Sequence, residues 1–125
     1  MTDKRQAGRD YLRKNLGEAY FEKREASTNA FNAPLRAFSE EYAFGNIWLR
    51  PGLEPKTRSM LCLVMLTALN RPHEIRIHVN SALNNGCSVE EIQEVLLQTS
   101  LYCGLPAAID SFAVAEEVLR ERGLL

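Results

Sequence analysis

The sequence has few cysteines and few histidines, and neither type is arranged as a metal or disulfide site. Its three cysteines, Cys62, Cys87 and Cys103, form no Cys-x-x-Cys pair and leave an odd count, which excludes a disulfide framework and the usual zinc spacing. Cys62 and Cys103 lie in apolar runs, so we predict that they are small buried hydrophobic residues. Two histidines, His73 and His78, are five positions apart and face opposing sides of a helix, so we expect no metal.

The chain also lacks a strong net charge and a long apolar run. The net charge is −1 with both signs interspersed, so no electrostatic footprint for nucleic acid is predicted. The longest apolar run, Met60 to Leu69, is too short to span a bilayer, and no signal peptide is recognisable. We therefore expect a cytoplasmic protein with no membrane or nucleic-acid partner. Phosphate loops, nucleophile elbows and cofactor fingerprints are also missing.

What the sequence does contain is apolar residues at helical spacing. No segment alternates polar and β-branched apolar residues, so the predicted fold is all-α. A chain of 125 residues with 46% hydrophobic content can bury a core as a single domain. The predicted helices cover residues 3–16, 18–29, 34–48, 55–69, 71–86, 89–103 and 106–122.

Local signals mark where these helices begin and end. Pro34 and Pro106 suit the first turns of their helices. Pro51-Gly52 predicts a type II turn, in which the glycine has a positive φ. Ser88 and Glu91 have the spacing of a capping box.

Two of the predicted helices have unusual apolar surfaces. The helix over 34–48 places Leu35, Phe38, Tyr42 and Ile47 on one side. The segment Ser59–Leu69 is apolar on nearly all sides, so it must be covered all round. One small domain rarely covers a helix completely, and we therefore predict an oligomer with this helix near the subunit contact.

The helix over 71–86 carries an ionisable pair beside a core-facing stripe. Glu74 and His78 are four residues apart and stack on one face, next to Ile75 and Val79. A lone histidine on an apolar face is usually a satisfied core residue, and an acid in a first turn complements the helix dipole. Alternatively, the carboxylate orients the imidazole and raises its basicity for catalysis. The residues alone leave both interpretations open.

Several further residues have the chemistry to bind an anion. Eleven arginines against four lysines suit an anionic ligand or buried ion pairs. Trp48 and Arg50 share a Pro-Gly turn and could cradle a planar anion; otherwise the tryptophan packs on the domain and the arginine is solvated. Arg58 and Arg71 begin helices and could line a pocket or bridge subunits. Tyr102 could present its hydroxyl to a ligand or belong to the core.

Five segments, in this order along the chain, form a recognisable set: YAFGNIWLRPGL (42–53), Thr57–Ser59, Glu74-x-x-x-His78-x-x-x-Ala82-Leu83-x-Asn85-Gly86, Glu91-Ile92-x-Glu94 and YCGLPAA (102–108). Through these segments the sequence resembles the carboxymuconolactone decarboxylases, over roughly residues 10–120. Alkyl hydroperoxidase D-like relatives of the same superfamily carry Cys-x-x-Cys-x-x-x-His on the equivalent helix. Here Arg71 and Glu74 occupy the two cysteine positions, so no thiol pair exists for redox chemistry.

The resemblance implies a compact domain of about six helices of the alkyl hydroperoxidase D-like type, with a helical extension (1–33) before a core (34–122). It also implies a homo-oligomer, trimeric or hexameric. The implied reaction is decarboxylation of 4-carboxymuconolactone to 3-oxoadipate enol-lactone without a cofactor, in the protocatechuate arm of the β-ketoadipate pathway.

On this interpretation, His78 tuned by Glu74 is the general acid. The residues expected to bind the lactone dicarboxylate are Arg50, Trp48, Arg58, Arg71, Tyr102 and Tyr42. Two alternatives remain at this stage: a non-enzymatic helical oligomer that binds a small aromatic acid or a partner protein, and a divergent peroxidase-like redox protein that uses Cys87 or Cys103 alone.

Overall fold

The computed structural model describes residues 1–125, and it confirms the all-α prediction because the chain contains helices and no strand. A π-helix, Ser39–Ile47, follows directly on the third of seven α-helices. The α-helices are α1 (Asp3–Leu16), α2 (Glu18–Ala26), α3 (Ala33–Phe38), α4 (Pro55–Ala68), α5 (Pro72–Asn84), α6 (Val89–Tyr102) and α7 (Leu105–Glu121).

The chain divides into two compact units, Met1–Pro55 (unit 1) and Lys56–Leu125 (unit 2). This boundary falls later in the chain than the predicted junction between an extension and a core at residue 33. The reason is that α1 packs along the π-helix, so the N-terminal helices belong to the same unit as residues 34–55.

Most predicted helix ends agree with the structure to within three residues, and the capping box of Ser88 and Glu91 is present in both directions. Two local predictions are wrong. The helix predicted over 34–48 is α-helical only as far as Phe38, beyond which it is a π-helix. Gly52 lies in a turn but does not have the positive φ of a type II turn.

In unit 1, α1 crosses the π-helix at two glycines. A Cβ built on Gly8 would overlap the carbonyl oxygen of Glu40, and one built on Gly45 would overlap the carbonyl oxygen of Lys4. The two backbones therefore approach to a distance that no other residue type permits. Gly45 is needed for this contact and not for a special φ angle.

The far end of the π-helix is fixed by aromatic packing. The Trp48 N–H donates to the Ala43 carbonyl, five residues earlier, at 2.9 Å, which is the hydrogen bond of a π-helical turn. Trp48 is 8% exposed, and its ring centroid lies 5.9 Å from that of Tyr11 and 6.3 Å from that of Phe44.

Unit 2 has its own hydrophobic core, to which α4, α5, α6 and α7 all contribute. The apolar stripe predicted on α5 is confirmed, because Ile75, Val79 and Ala82 are buried there. A buried hydroxyl pair, Thr67 and Ser111, joins α4 to α7 at 2.8 Å. The core residues are Leu63, Ile75, Val79, Ala82, Cys87, Ile92, Leu96, Ala115 and Val118.

The chain covers only one side of α4. Ser59, Leu63 and Thr67 are buried on that side. The opposite side exposes the large apolar side chains of Leu61 and Met65, and Leu69, directly after the end of the helix, is exposed as well. None of the helices combines the length and hydropathy needed to cross a membrane.

Candidate active site

The helix α5 begins at a sharp break after α4. Asn70 has a positive φ of 56°, a left-handed conformation that asparagine tolerates and that often ends a helix. Arg71 then precedes the first turn of α5, in which Pro72 lies. Glu74 follows within that first turn. The break therefore sets where α5 begins, and with it the positions of Glu74 and His78 on that helix.

Glu74 and His78 are both partly buried on α5. Burial lowers the pKa of His78 below its ordinary value, and the negative charge of Glu74 opposes this by raising it. The two groups thus interact electrostatically, as their spacing predicts. Because burial is the larger effect, His78 is mainly neutral near pH 7 and responds to any further charge placed beside it.

The start of α4 is tied to the end of α5. The Asn85 side-chain amide donates to the Ser59 hydroxyl at 2.9 Å, and Ser59 is buried. Arg58, which precedes Ser59 in the first turn of α4, is partly buried. The structure therefore places a partly buried arginine on α4, which contributes to the same core of unit 2 as α5.

Two other predicted residues of unit 2 are open to solvent. Tyr102 is the last residue of α6 and is 83% exposed, so of its two interpretations the one that places it in the core is wrong. Arg71 is also exposed.

Unit 1 contains the three remaining predicted residues. Tyr42 lies in the π-helix and is exposed, with its ring stacked on Phe38 at a centroid distance of 5.0 Å. Trp48 is buried among the aromatic rings described above. Arg50 lies in the turn that follows and is exposed. Its backbone N–H donates to the Ile47 carbonyl at 3.2 Å.

Two of the three cysteines, Cys62 and Cys87, have environments that disfavour the thiolate. All three are free thiols. Burial raises the pKa of Cys62, and burial together with the charge of Glu91 raises that of Cys87, although Lys56 opposes it. A raised pKa reduces the thiolate fraction, which is the reactive form. The chain also has no group of three or more His, Cys, Asp or Glu side chains that could hold a metal ion.

The sequence interpretation missed the most buried charge in the molecule. Glu40 is 1% exposed, and its carboxylate accepts hydrogen bonds from Arg5 at 2.8 Å, Arg9 at 2.9 Å and Arg24 at 2.7 Å. Burial opposes ionisation of Glu40, but these arginines outweigh it and lower its pKa. The signals in the sequence were the arginine excess and the i, i+4 spacing of Arg5 and Arg9.

Comparison with known proteins agrees with the resemblance. The chain is 38% identical over 109 residues to a 4-carboxymuconolactone decarboxylase of Acinetobacter baylyi, which covers 87% of this chain and 81% of the relative. It is 33% identical over 106 residues to a nitrosuccinic acid decarboxylase of Metarhizium robertsii, covering 85% of this chain and 74% of the relative. Residues 33–117 match the carboxymuconolactone decarboxylase family. The chain therefore belongs to the carboxymuconolactone decarboxylase family.

Proposed function

We propose that this protein is a carboxy-lyase that converts 4-carboxymuconolactone to 3-oxoadipate enol-lactone without a cofactor, in aromatic catabolism. The observation that carries the proposal is the 38% identity, across 87% of the chain, to a protein named for that activity. The partly buried pair Glu74 and His78 on α5 supports it, because a proton donor is what the reaction requires.

The chemistry of this substrate explains why no cofactor is needed. The carboxylate that leaves is attached to a ring carbon conjugated, through the ring alkene, to the lactone carbonyl. When that C–C bond breaks and CO2 departs, the electron pair is delocalised onto the carbonyl oxygen as a dienolate. A proton then forms a new C–H bond at the ring carbon next to the carbonyl. The substrate is its own electron sink, so the protein supplies binding, charge stabilisation and one proton.

His78 is the proposed proton donor. The free protein holds it mainly neutral through burial, and a bound dicarboxylate brings negative charge that raises its pKa. Substrate binding would therefore promote protonation of the imidazole when the acid is needed. Glu74 acts in the same direction before the substrate arrives, because its charge raises the pKa of His78.

The remaining predicted roles concern the negative charges of the substrate. Arg50, Arg58 and Arg71 are the proposed partners for its carboxylates, because a guanidinium binds a carboxylate through two parallel hydrogen bonds. Tyr102 is the proposed donor to the lactone oxygen, on which charge develops. Trp48 and Tyr42 are proposed to border the bound lactone, with Trp48 held in place by its aromatic neighbours.

The second relative suggests a related candidate substrate, a nitro-substituted dicarboxylic acid. Loss of CO2 from a carbon that bears a nitro group leaves an electron pair delocalised onto the nitro oxygens. Like the lactone reaction, this needs carboxylate-binding cations and a proton donor but no electron sink from the protein. We rank it second because the identity is lower.

The protein is also proposed to be a cytoplasmic homo-oligomer, a trimer or hexamer. The exposed apolar side of α4, formed by Leu61 and Met65 with Leu69 directly after the helix, supports a subunit contact at that helix, as the sequence predicts. Sedimentation velocity at micromolar concentration tests this, and a monomer would contradict it.

The decisive experiment is CO2 release from 4-carboxymuconolactone by the purified chain without added cofactor, with nitrosuccinate assayed in parallel. Replacement of His78 by Gln should lower kcat/KM by about 10²–10⁴-fold, the range expected for a general acid, while the folded structure persists.

Two results would contradict parts of the proposal. Near-full activity of the His78→Gln variant would remove His78 from the chemistry. No turnover of either substrate by the wild type would favour the non-enzymatic binding alternative. Alkylation of the thiols with full retention of activity would dismiss the redox alternative.

A further inference from the structure

The start of α4 is joined to the connection between α5 and α6 at three points. The Asn85 side-chain amide donates to the Ser59 hydroxyl at 2.9 Å. The Lys56 ammonium pairs with the Glu91 carboxylate at 2.8 Å. The Cys87 thiol donates to the Lys56 carbonyl oxygen at 3.6 Å. All of these residues lie in or beside segments that carry the family resemblance, yet none of them takes part in the proposed reaction.

The end of α5 is a rigid anchor for this junction. Asn85 is the C-cap of the helix, and Gly86 follows with a φ of 98°, a conformation that glycine adopts without strain. The Gly86 N–H donates to the Leu83 carbonyl at 3.1 Å. The Cys87 N–H donates to the Ala82 carbonyl at 2.9 Å, which completes the two hydrogen bonds of a Schellman motif. The backbone around Asn85 is therefore fixed by α5 itself, independently of the side-chain contact to α4.

The junction lies on the side of α5 that carries His78. His78 is seven positions before Asn85, and residues seven apart share a face of a helix. The hydrogen bond from Asn85 to Ser59 therefore brings the start of α4 to the same side of α5 as His78, about two helical turns away from it.

Arg58 is the side chain whose direction this junction sets. It directly precedes Ser59 and is two residues after Lys56. Ser59 is completely buried, and the Nε atom of Arg58 is buried as well. The hydrogen bond through Ser59 and the ion pair through Lys56 together oppose rotation of the start of α4 about its axis. The direction in which the Arg58 side chain leaves the helix is therefore fixed.

We propose that Asn85 is a positioning residue of the active site. Through its hydrogen bond to α4, it holds Arg58 directed at a carboxylate of the substrate, on the side of α5 that carries His78. A guanidinium binds a carboxylate through two parallel hydrogen bonds, whose geometry is lost when the planar group is misplaced. This role rests on the proposed function, in which Arg58 binds the substrate.

The test is steady-state kinetics of CO2 release from 4-carboxymuconolactone by the full chain. Asn85→Ala and Ser59→Ala each remove the hydrogen bond, and each should raise KM by about 3-fold to 10-fold, the range that one net hydrogen bond supports. The value of kcat should stay within about 2-fold of the wild type, because a group that binds substrate and transition state alike acts on KM. A purely structural defect has the opposite signature, since partial unfolding lowers kcat and leaves the KM of the folded remainder unchanged.

Asn84→Ala is the matched control. Asn84 is the last residue of α5, is exposed, and accepts a hydrogen bond from Arg122 at 3.1 Å. This variant therefore also removes a side-chain hydrogen bond from the end of α5, but one that does not reach α4. Its KM should equal that of the wild type. Circular dichroism checks that each variant is folded.

Double variants identify the residue through which Asn85 acts. In the Arg58→Ala background, Asn85→Ala should raise KM no further, because no guanidinium remains to be positioned. Ser59→Ala combined with Asn85→Ala should have the KM of the more affected single variant, since both substitutions remove one and the same hydrogen bond. Additive effects in either combination would overturn the positioning role.

Two further outcomes separate the role of Asn85 from the function on which it rests. Wild-type turnover together with a wild-type KM in the folded Asn85→Ala protein would overturn the positioning role and leave the proposed function intact. No turnover of 4-carboxymuconolactone or nitrosuccinate by the wild type would overturn both.

Discussion

Glu40 in unit 1 and His78 in unit 2 are both ionisable groups withdrawn from water, but the protein treats them in opposite ways. Three arginines surround the Glu40 carboxylate and lower its pKa despite burial, so the charge is kept. One carboxylate, Glu74, only partly offsets the burial of His78, whose pKa falls, so the charge is given up. A buried charge that is fully paired stabilises the structure. A buried group whose charge is only partly compensated can instead gain or lose a proton at little cost in free energy.

The largest expected effect is on stability, at Glu40. The Glu40→Ala variant leaves three arginines directed at a buried space without their shared carboxylate, which should lower the free energy of unfolding by about 3–5 kcal/mol. Urea unfolding followed by circular dichroism measures the change. The matched control is Glu41→Ala, which removes one exposed hydrogen bond and should lower the free energy of unfolding by about 1 kcal/mol or less. Equal losses in the Glu40→Ala and Glu41→Ala variants would show that the arginine cluster is not the stabilising feature.

The next effect concerns the crossing of α1 and the π-helix, the helix that contains Glu40. Gly45→Ala adds a methyl group that overlaps the Lys4 carbonyl, so α1 must shift, and we expect a loss of about 1–3 kcal/mol. Alanine normally stabilises a helix relative to glycine by about 1 kcal/mol. A loss of stability on Gly45→Ala would therefore identify the close approach of the two helix backbones as its cause.

Gly52→Ala is the control for this experiment, because nothing lies within 4 Å of its added Cβ. It should change stability by about 0.5 kcal/mol or less. Thermal unfolding of both variants provides the comparison, and a stabilised Gly45→Ala protein would contradict the described packing of α1 on the π-helix.

A smaller effect, now on catalysis, is expected at Arg50. Loss of a guanidinium that holds a substrate carboxylate removes about 1.5–3 kcal/mol of binding, so Arg50→Ala should lower kcat/KM by roughly 10-fold to 100-fold. Steady-state kinetics with 4-carboxymuconolactone measures it. Arg120→Ala, on an exposed face of α7, should match the wild type. Unchanged kinetics in Arg50→Ala would assign Arg50 to the turn alone.

The smallest expected effect is a shift in the pH at which kcat/KM falls. If His78 must be protonated, kcat/KM falls as the pH rises through the pKa of His78 in the free protein, which burial places below about 6.5. The fall in kcat should occur at higher pH, since bound substrate raises that pKa. Glu74→Gln removes a charge that raises it, so the fall in kcat/KM should move to lower pH. A profile identical to the wild type would remove Glu74 from this role.

The helical fold was predictable from the sequence because its signals are local. Apolar spacing located the stripe of α5, Ser88 and Glu91 formed the predicted capping box, and the prolines opened their helices. The spacing of Glu74 and His78 likewise predicted their interaction, since residues four apart on a helix are neighbours whatever surrounds them.

The π-helix and the Glu40 cluster were not predictable in this way. The segment 39–47 has a sequence compatible with an ordinary α-helix, and its widening accompanies the contact of Gly45 with α1, far away in the chain. In the sequence, nothing distinguishes Glu40 from the neighbouring acid Glu41. Only the approach of arginines from two other helices makes its burial favourable, and such long-range pairing leaves no periodic signal.

By itself, the sequence determined that the chain is helical, where most of its helices begin and end, and to which family it belongs, because those depend on residue types at short spacings. The tertiary structure decided which ionisable group keeps its charge and which yields it, and which apolar residues are left facing outward. Burial and electrostatic environment are properties of neighbours in space, and the same carboxylate or imidazole behaves differently when those neighbours change.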